Sequence, residues 1–172
     1  DYSLLAEILR LPSESVIYQN IPTIDVVDIN NKIDLAIKDI LFYLQPLLIK
    51  TYHKLNKYSD FNLNKDSVGI RSLKNICLYY LAKDGDCKLA AKQFNEANCM
   101  SDKIAALQAI LLADNIYLQD SVDSFYYQYK DNLQLMEKWF ACQSLAPTIS
   151  VTKLNDLFEH KSFDIKNPNK VR

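Results

Sequence analysis

Only two glycines, Gly69 and Gly85, and five prolines occur in the 172 residues. Hairpins and tight turns draw on glycine for positive φ and on proline for a preset φ. Their scarcity argues against a strand-and-turn architecture and favours helix. Charge of one sign is missing too, with 20 basic side chains against 21 acidic ones and a net charge of −1. A nucleic-acid or anionic-membrane surface needs clustered Lys and Arg, so neither partner is expected. Apolar runs stay short, "ILFYL" among the longest, where a bilayer span needs ~20 residues.

Catalytic signatures are scarce as well. The only histidines, His53 and His160, have no second His or Cys at ligand spacing, so no helix-borne metal set is present. His53 reads as a half-exposed helix residue and His160 as a cation near a helix C-terminus, where it suits the dipole. No nucleophile elbow, P-loop or dinucleotide fingerprint occurs. Cys77, Cys87, Cys99 and Cys142 include no CxxC pair and read as reduced thiols of a reducing compartment. Asp84/Asp86 and Asp120/Asp123 fall at predicted helix starts, where carboxylates stabilise exposed N–H groups.

What is present is helical periodicity. Ser3 is a candidate cap for a short helix ending near Leu9; Leu11-Pro12 breaks it, and Ser13 starts another. Ile33, Ile37, Ile40, Leu41 and Leu44 trace the apolar stripe of a long amphipathic helix. Pro46 predicts a kink or restart, after which Leu48, Tyr52 and Leu55 continue the spacing. The polar, aperiodic "NKYSDFNLNKD" is the main connector.

Six further stripes follow it at helical spacing. They are Ile70/Leu73/Cys77, Ala90/Phe94/Ala97, Ile104/Leu107/Leu111 behind a Ser101 cap, Val122/Phe125/Tyr126/Tyr129, Met136/Trp139/Phe140, and Val151/Leu154/Phe158. The aromatic run "FYYQYK" reads as core packing rather than a stacking platform for bases or sugars. In "KQFNEANCMSD", Asn98 and Cys99 close one helix, while Gln93, Asn95 and Asn98 are placed to bond loop carbonyls.

Alternate helices begin near Ser67, Ser101, Leu133 and Asn167, a period of roughly 33 residues that marks solenoid arrays. A helical bundle with short loops would show the same period. The predicted fold is all-α, with stacked antiparallel helix pairs. Its expected organisation is residues 1–57 as N-terminal helices, 58–66 as connector, and 67–172 as helix-pair repeats of one continuous domain. The chain starts at Asp1 without Met and stops where Asn167-Pro168 would open a helix. Both ends point to a piece of a longer polypeptide, because stacked units tolerate a cut between them.

Several phrases carry a resemblance: "LLAEILRLPSE", "VGIRSLKNICLYYLA", "AAKQFNEANCMSDKIAAL", "LMEKWFACQSLAP" and "HKSFDIKNPNKVR". In order and spacing they resemble the C-terminal region of the bacterial alanyl aminopeptidases, the aminopeptidase N branch of the M1 zinc metallopeptidases. The match is weaker across "YQNIPTIDVVDINNKID" and "NKYSDFNLN".

The resemblance implies an ARM/HEAT-like superhelical array that closes over a catalytic domain and restricts access to an internal chamber. It implies one zinc in the parent enzyme, held by an HExxH helix and a downstream Glu, with a GAMEN-type loop on the substrate amine. None of these elements occurs in this sequence, so no catalytic residue and no metal ligand is expected here. The implied partners are the catalytic and N-terminal domains of the same polypeptide and, for the parent, peptide substrates. The implied location is cytoplasmic. By the same resemblance Arg172, ending the "NPNKVR" phrase, lines the substrate chamber, where a guanidinium suits a carboxylate or carbonyls. Lys170 stands where the family usually has Arg. The rival reading is a stand-alone helical-repeat scaffold that binds partner peptides.

Overall fold

The computed structural model describes residues 1–57, 62–147 and 149–168. Among them are nine α-helices and no strand. The chain forms two compact units, Asp1–Asp84 and Gly85–Arg172.

The first unit holds α1 (Tyr2–Leu9), α2 (Glu14–Tyr18), α3 (Val26–Leu55) and α4 (Lys65–Lys83). Helix α1 is capped by Asp1, whose carboxylate accepts from the N–H groups of Ser3 and Leu4 at 2.9 and 3.4 Å. Ser3, the expected cap, lies inside the first turn. A carboxylate is the stronger acceptor and also complements the positive end of the helix. Asp25 caps α3 in the same way through the N–H of Asp28 at 3.0 Å.

Pro46 sits within α3, which runs on to Leu55. The helix does not restart there. Proline removes one intrahelical hydrogen bond, but the turns on either side are held by the buried Leu41, Leu48, Tyr52 and Leu55, whose packing offsets that loss. The expected stripe is inward: Ile37 and Leu41 are buried, and Ile33, Ile40 and Leu44 are half-buried.

Both α1 and α3 pack on α4. At Gly69 of α4 a Cβ would stand 2.7 Å from Ser3 Oγ and 3.0 Å from the Ser3 nitrogen. The missing side chain is what lets the backbone of α1 approach α4. The fully buried Tyr80 donates its hydroxyl to the Leu9 carbonyl at 2.5 Å, satisfying an acceptor that the end of α1 leaves open. Because α4 buries its faces on α1 and α3, it belongs with the helices before it. The boundary between the units therefore falls after α4, beyond the polar 58–66 stretch, of which 58–61 lie outside the described residues.

Gly85, with φ +95°, follows the C-cap Asp84 and ends α4 in the left-handed region that glycine enters without strain. The second unit then holds α5 (Lys88–Glu96), α6 (Met100–Ile110), α7 (Leu118–Tyr129), α8 (Leu133–Ser144) and α9 (Val151–Phe158). Helix α5 packs on α6, α7 on α8, α8 also on α6, and α9 on α8. Short links turn the chain back between packed neighbours, giving the helix pairs expected from the sequence. Helices α4, α6 and α8 begin at Lys65, Met100 and Leu133, close to the predicted repeat.

Phe94, Leu107, Ile110, Val122, Phe125, Met136, Trp139 and Phe140 are buried at the centre of this unit. Each contributes roughly 1.5–3 kcal/mol relative to exposure.

Two local expectations change here. Cys99, not Ser101, occupies the N-cap of α6, and it makes no side-chain capping bond. In α9 the expected inner stripe faces out, with Val151 75%, Leu154 40% and Phe158 57% exposed, while Leu157 is buried. Within this unit α9 packs mainly on α8 among the described residues, so a narrow strip is covered, and periodicity does not say which strip.

Candidate functional site

The C-terminal phrase is held by an aromatic cluster. Trp139 and Phe140 of α8 and Tyr126 of α7 surround the imidazole of His160, with ring centroids 5.4, 5.5 and 5.2 Å away. Phe163 extends the cluster, stacking against Phe140 and Phe158 at 5.7 and 5.1 Å. These rings fix the segment that follows α9. Beyond it, Asn167 Nδ2 donates to Glu137 Oε1 at 3.4 Å, and Pro168 is helical. Asn169, Lys170, Val171 and Arg172 lie outside the described residues.

His160 was expected to serve as a helix-end cation. Instead its Nδ1 accepts the Ser162 N–H at 3.1 Å, a bond that needs the lone pair on that nitrogen. The imidazole is a packing and hydrogen-bonding element of the cluster. His53 is exposed on α3 and stands edge-on to Tyr52 at 5.6 Å.

Among the described residues, no three His, Cys, Asp or Glu side chains gather where they would hold a metal ion. The residues described do not fit a zinc site. The four cysteines are free. Burial pushes the Cys77 and Cys142 thiols up to about 11 and raises Cys87 as well, helped by Asp86. Thiols so disfavoured as thiolates make poor nucleophiles and poor metal ligands at neutral pH.

The acid pairs sit at helix ends or in local hydrogen bonds. Asp84 closes α4 instead of opening a helix; it accepts from Gln45 Nε2 at 2.6 Å. Asp86 accepts from the Lys88 N–H at 3.0 Å before α5. Asp120 lies in the first turn of α7, and Asp123 accepts from Gln119 Nε2 at 2.9 Å.

In the "KQFNEANCMSD" phrase the buried Gln93 donates to the Asp102 carbonyl at 3.0 Å, which ties α5 to the first turn of α6. Lys103 bonds Gln128 Oε1 at 3.0 Å and lies over the rings of Phe94 and Tyr129 at 5.0 and 5.7 Å. Burial lowers its pKa. From "FYYQYK", Phe125 is buried, and Tyr126 and Tyr129 are half-buried. Tyr127 is 71% exposed.

Each unit holds cavities. One of about 510 Å³ in the first unit is walled by apolar residues such as Pro12, Ile17, Ile21 and Ile33, with Asp25, Asp28 and Lys32 at its side. A second, of about 300 Å³, lies between the α6–α7 and α8–α9 links; sequence reasoning missed both. The lone signal for the second was Gln143, a polar residue on the inner face of a helix. No helix among the described residues is long and apolar enough to cross a membrane.

The family model described as "Domain of unknown function (DUF3458_C) ARM repeats" matches residues 1–172. Aminopeptidase N of Escherichia coli (strain K12) is 32% identical, over 100% of this chain and 20% of its own length. Aminopeptidase N of Haemophilus influenzae is 30% identical, again over 100% of this chain and 20% of its own length. The similarity falls in the C-terminal fifth of these proteins. The crystal structure of Legionella pneumophila aminopeptidase A in complex with aspartic acid shares the fold, with a TM-score of 0.84 and 23% identity, over 99% of this chain and 21% of that one. The chain thus spans about a fifth of the length of the relatives it matches.

Proposed function

This chain belongs to the DUF3458_C family of ARM-repeat domains, and from that premise we propose that it is the C-terminal helical segment of a zinc-dependent M1 aminopeptidase. The observation that carries the reading is similarity along the whole chain to one fifth of aminopeptidase N. The parent enzyme removes N-terminal residues from peptides in the cytoplasm, with one zinc supplied by its catalytic domain. This segment shapes the chamber and restricts access to it, and it carries no catalytic machinery of its own.

Exposed apolar side chains support a cover from elsewhere in the same polypeptide. On α3, Leu35, Phe42 and Leu47 are 58%, 80% and 58% exposed. Leu35 and Phe42 lie two turns apart on one face. Such a surface is the kind that protein–protein contacts bury. In this reading Arg172 lines the chamber near the downstream end of the peptide.

The test is to express the complete reading frame that contains this chain and assay an alanyl chromogenic substrate. Hydrolysis that a chelator abolishes and zinc restores is the expected result, with none from the 172-residue chain alone. A reading frame without HExxH and a downstream Glu would overturn the proposal in favour of a helical-repeat scaffold.

A further inference from the structure

Gly69 follows Val68, whereas Gly85 follows Asp84. An aspartate before a glycine is chemically exposed, because no side chain hinders the approach of the glycine nitrogen to the carboxyl carbon. Asp84 and Gly85 are both exposed, and nothing lies within 4 Å of where a Cβ of Gly85 would stand. Serine is the next least hindered neighbour. The Asp-Ser steps, at 66–67, 120–121 and 123–124, all lie within helices α4 and α7. Asp84-Gly85 lies outside any helix.

The fold nevertheless holds this peptide in an unreactive state. Asp84 is the C-cap of α4, with φ −76° and ψ −3°. A ring between the Gly85 nitrogen and Asp84 Cγ closes only when ψ swings far from that value and the side chain turns toward the nitrogen. Two contacts resist the motion. The Asp84 N–H donates to the Leu81 carbonyl at 3.3 Å, and the Asp84 carboxylate accepts from Gln45 Nε2 of α3 at 2.6 Å. The second bond is charge-assisted, and it anchors the side chain that must move.

We propose that the Asp84–Gly85 peptide is a modification site that converts to isoaspartate, and that Gln45 is the latch that slows the conversion. In the first step the Gly85 nitrogen bonds to Asp84 Cγ. The carboxyl hydroxyl leaves with its electron pair, takes the proton that the nitrogen loses, and departs as water. In the second step water adds to the Asp84 main-chain carbonyl carbon. The bond from that carbon to the Gly85 nitrogen breaks, with hydroxyl staying on carbon and the proton going to nitrogen. Composition is unchanged, but the backbone now runs through Cβ and Cγ. The carboxylate that Gln45 held becomes an amide carbonyl, so the tie between α3 and α4 weakens. Neither step depends on the peptidase reading.

The test is ageing of the 172-residue chain in mildly acidic buffer beside the free peptide of residues 81–89. Peptide mapping with a fragmentation that separates the isomers locates isoaspartate. Conversion should centre on residue 84 and run more slowly in the folded chain than in the peptide. Gln45→Leu and Gln45→Glu should each speed it roughly three- to tenfold, the rate equivalent of about one hydrogen bond. The two substitutions differ in charge and size, so a shared effect reports the lost donor. Asp84→Glu, whose ring would need a sixth atom, should abolish the signal. No isoaspartate at residue 84 in either Gln45 variant would overturn the site. A folded rate equal to the peptide's, or rates unchanged in both Gln45 variants, would overturn the latch.

Discussion

The indole of Trp139 on α8 donates a 3.0 Å hydrogen bond to the backbone carbonyl of Val122 on α7. Both residues are buried. The bond joins two helices through a directional contact, so it sets their register as well as their distance. Trp139 also stacks on Tyr126 and His160 at 5.4 Å each. One side chain therefore ties α7, α8 and the segment leading to Asn167.

Trp139→Phe should remove the donor and leave a gap beside His160. The expected loss of stability is about 1–3 kcal/mol, measured by urea denaturation. Amides of residues 160–167 should exchange faster than in the unsubstituted chain. Unchanged exchange there would mean that the rings do not hold the C-terminal segment.

The two glycines should respond to substitution differently. At Gly85 nothing lies within 4 Å of where a Cβ would stand, but φ is +95°, so Gly85→Ala should cost about 1 kcal/mol from backbone strain alone. At Gly69 the obstacle is the neighbour Ser3. Gly69→Leu should push α1 off α4 and cost about 1–3 kcal/mol, with faster proteolysis near residues 2–9. Equal stability of Gly69→Leu and the unsubstituted chain would contradict the close approach.

The thiols should behave as buried acids. Cys99 is half-exposed and should react first with a disulfide reagent at neutral pH, with Cys77, Cys87 and Cys142 following slowly. Folded Cys77 and Cys142 titrate near 11, above their ordinary value of 9.0. Between those values the unfolded chain has lost protons that the folded chain keeps, so stability falls as pH rises. The denaturation midpoint should be flat from neutrality to about pH 9 and drop above it. The double variant Cys77→Ala/Cys142→Ala should lose much of that drop.

Caps and faces show where reading from sequence reached its limit. Asp1 and Cys99 took capping positions assigned to Ser3 and Ser101, because several neighbouring residues satisfy the local rule and backbone geometry chooses among them. At Pro46 the sequence left a kink or a restart open, and α3 runs through it to Leu55 because packing on both sides outweighs one lost hydrogen bond. The cavity beside Gln143 was invisible in one dimension, since its walls come from residues 111–119 and 143–153, two stretches with α7 and most of α8 between them.

Helical class, the positions of most inner stripes, the 33-residue rhythm and the family resemblance were all determined by the residues alone. The first three rest on local spacing or composition and the resemblance on whole matching phrases, none of which needs knowledge of neighbours in space. Tertiary structure alone decided where one unit ends and the next begins, which face of α9 is covered, and that Gln143 and Lys153 border one cavity. Those outcomes depend on which surfaces meet, and a burial free energy exists only once two surfaces have met.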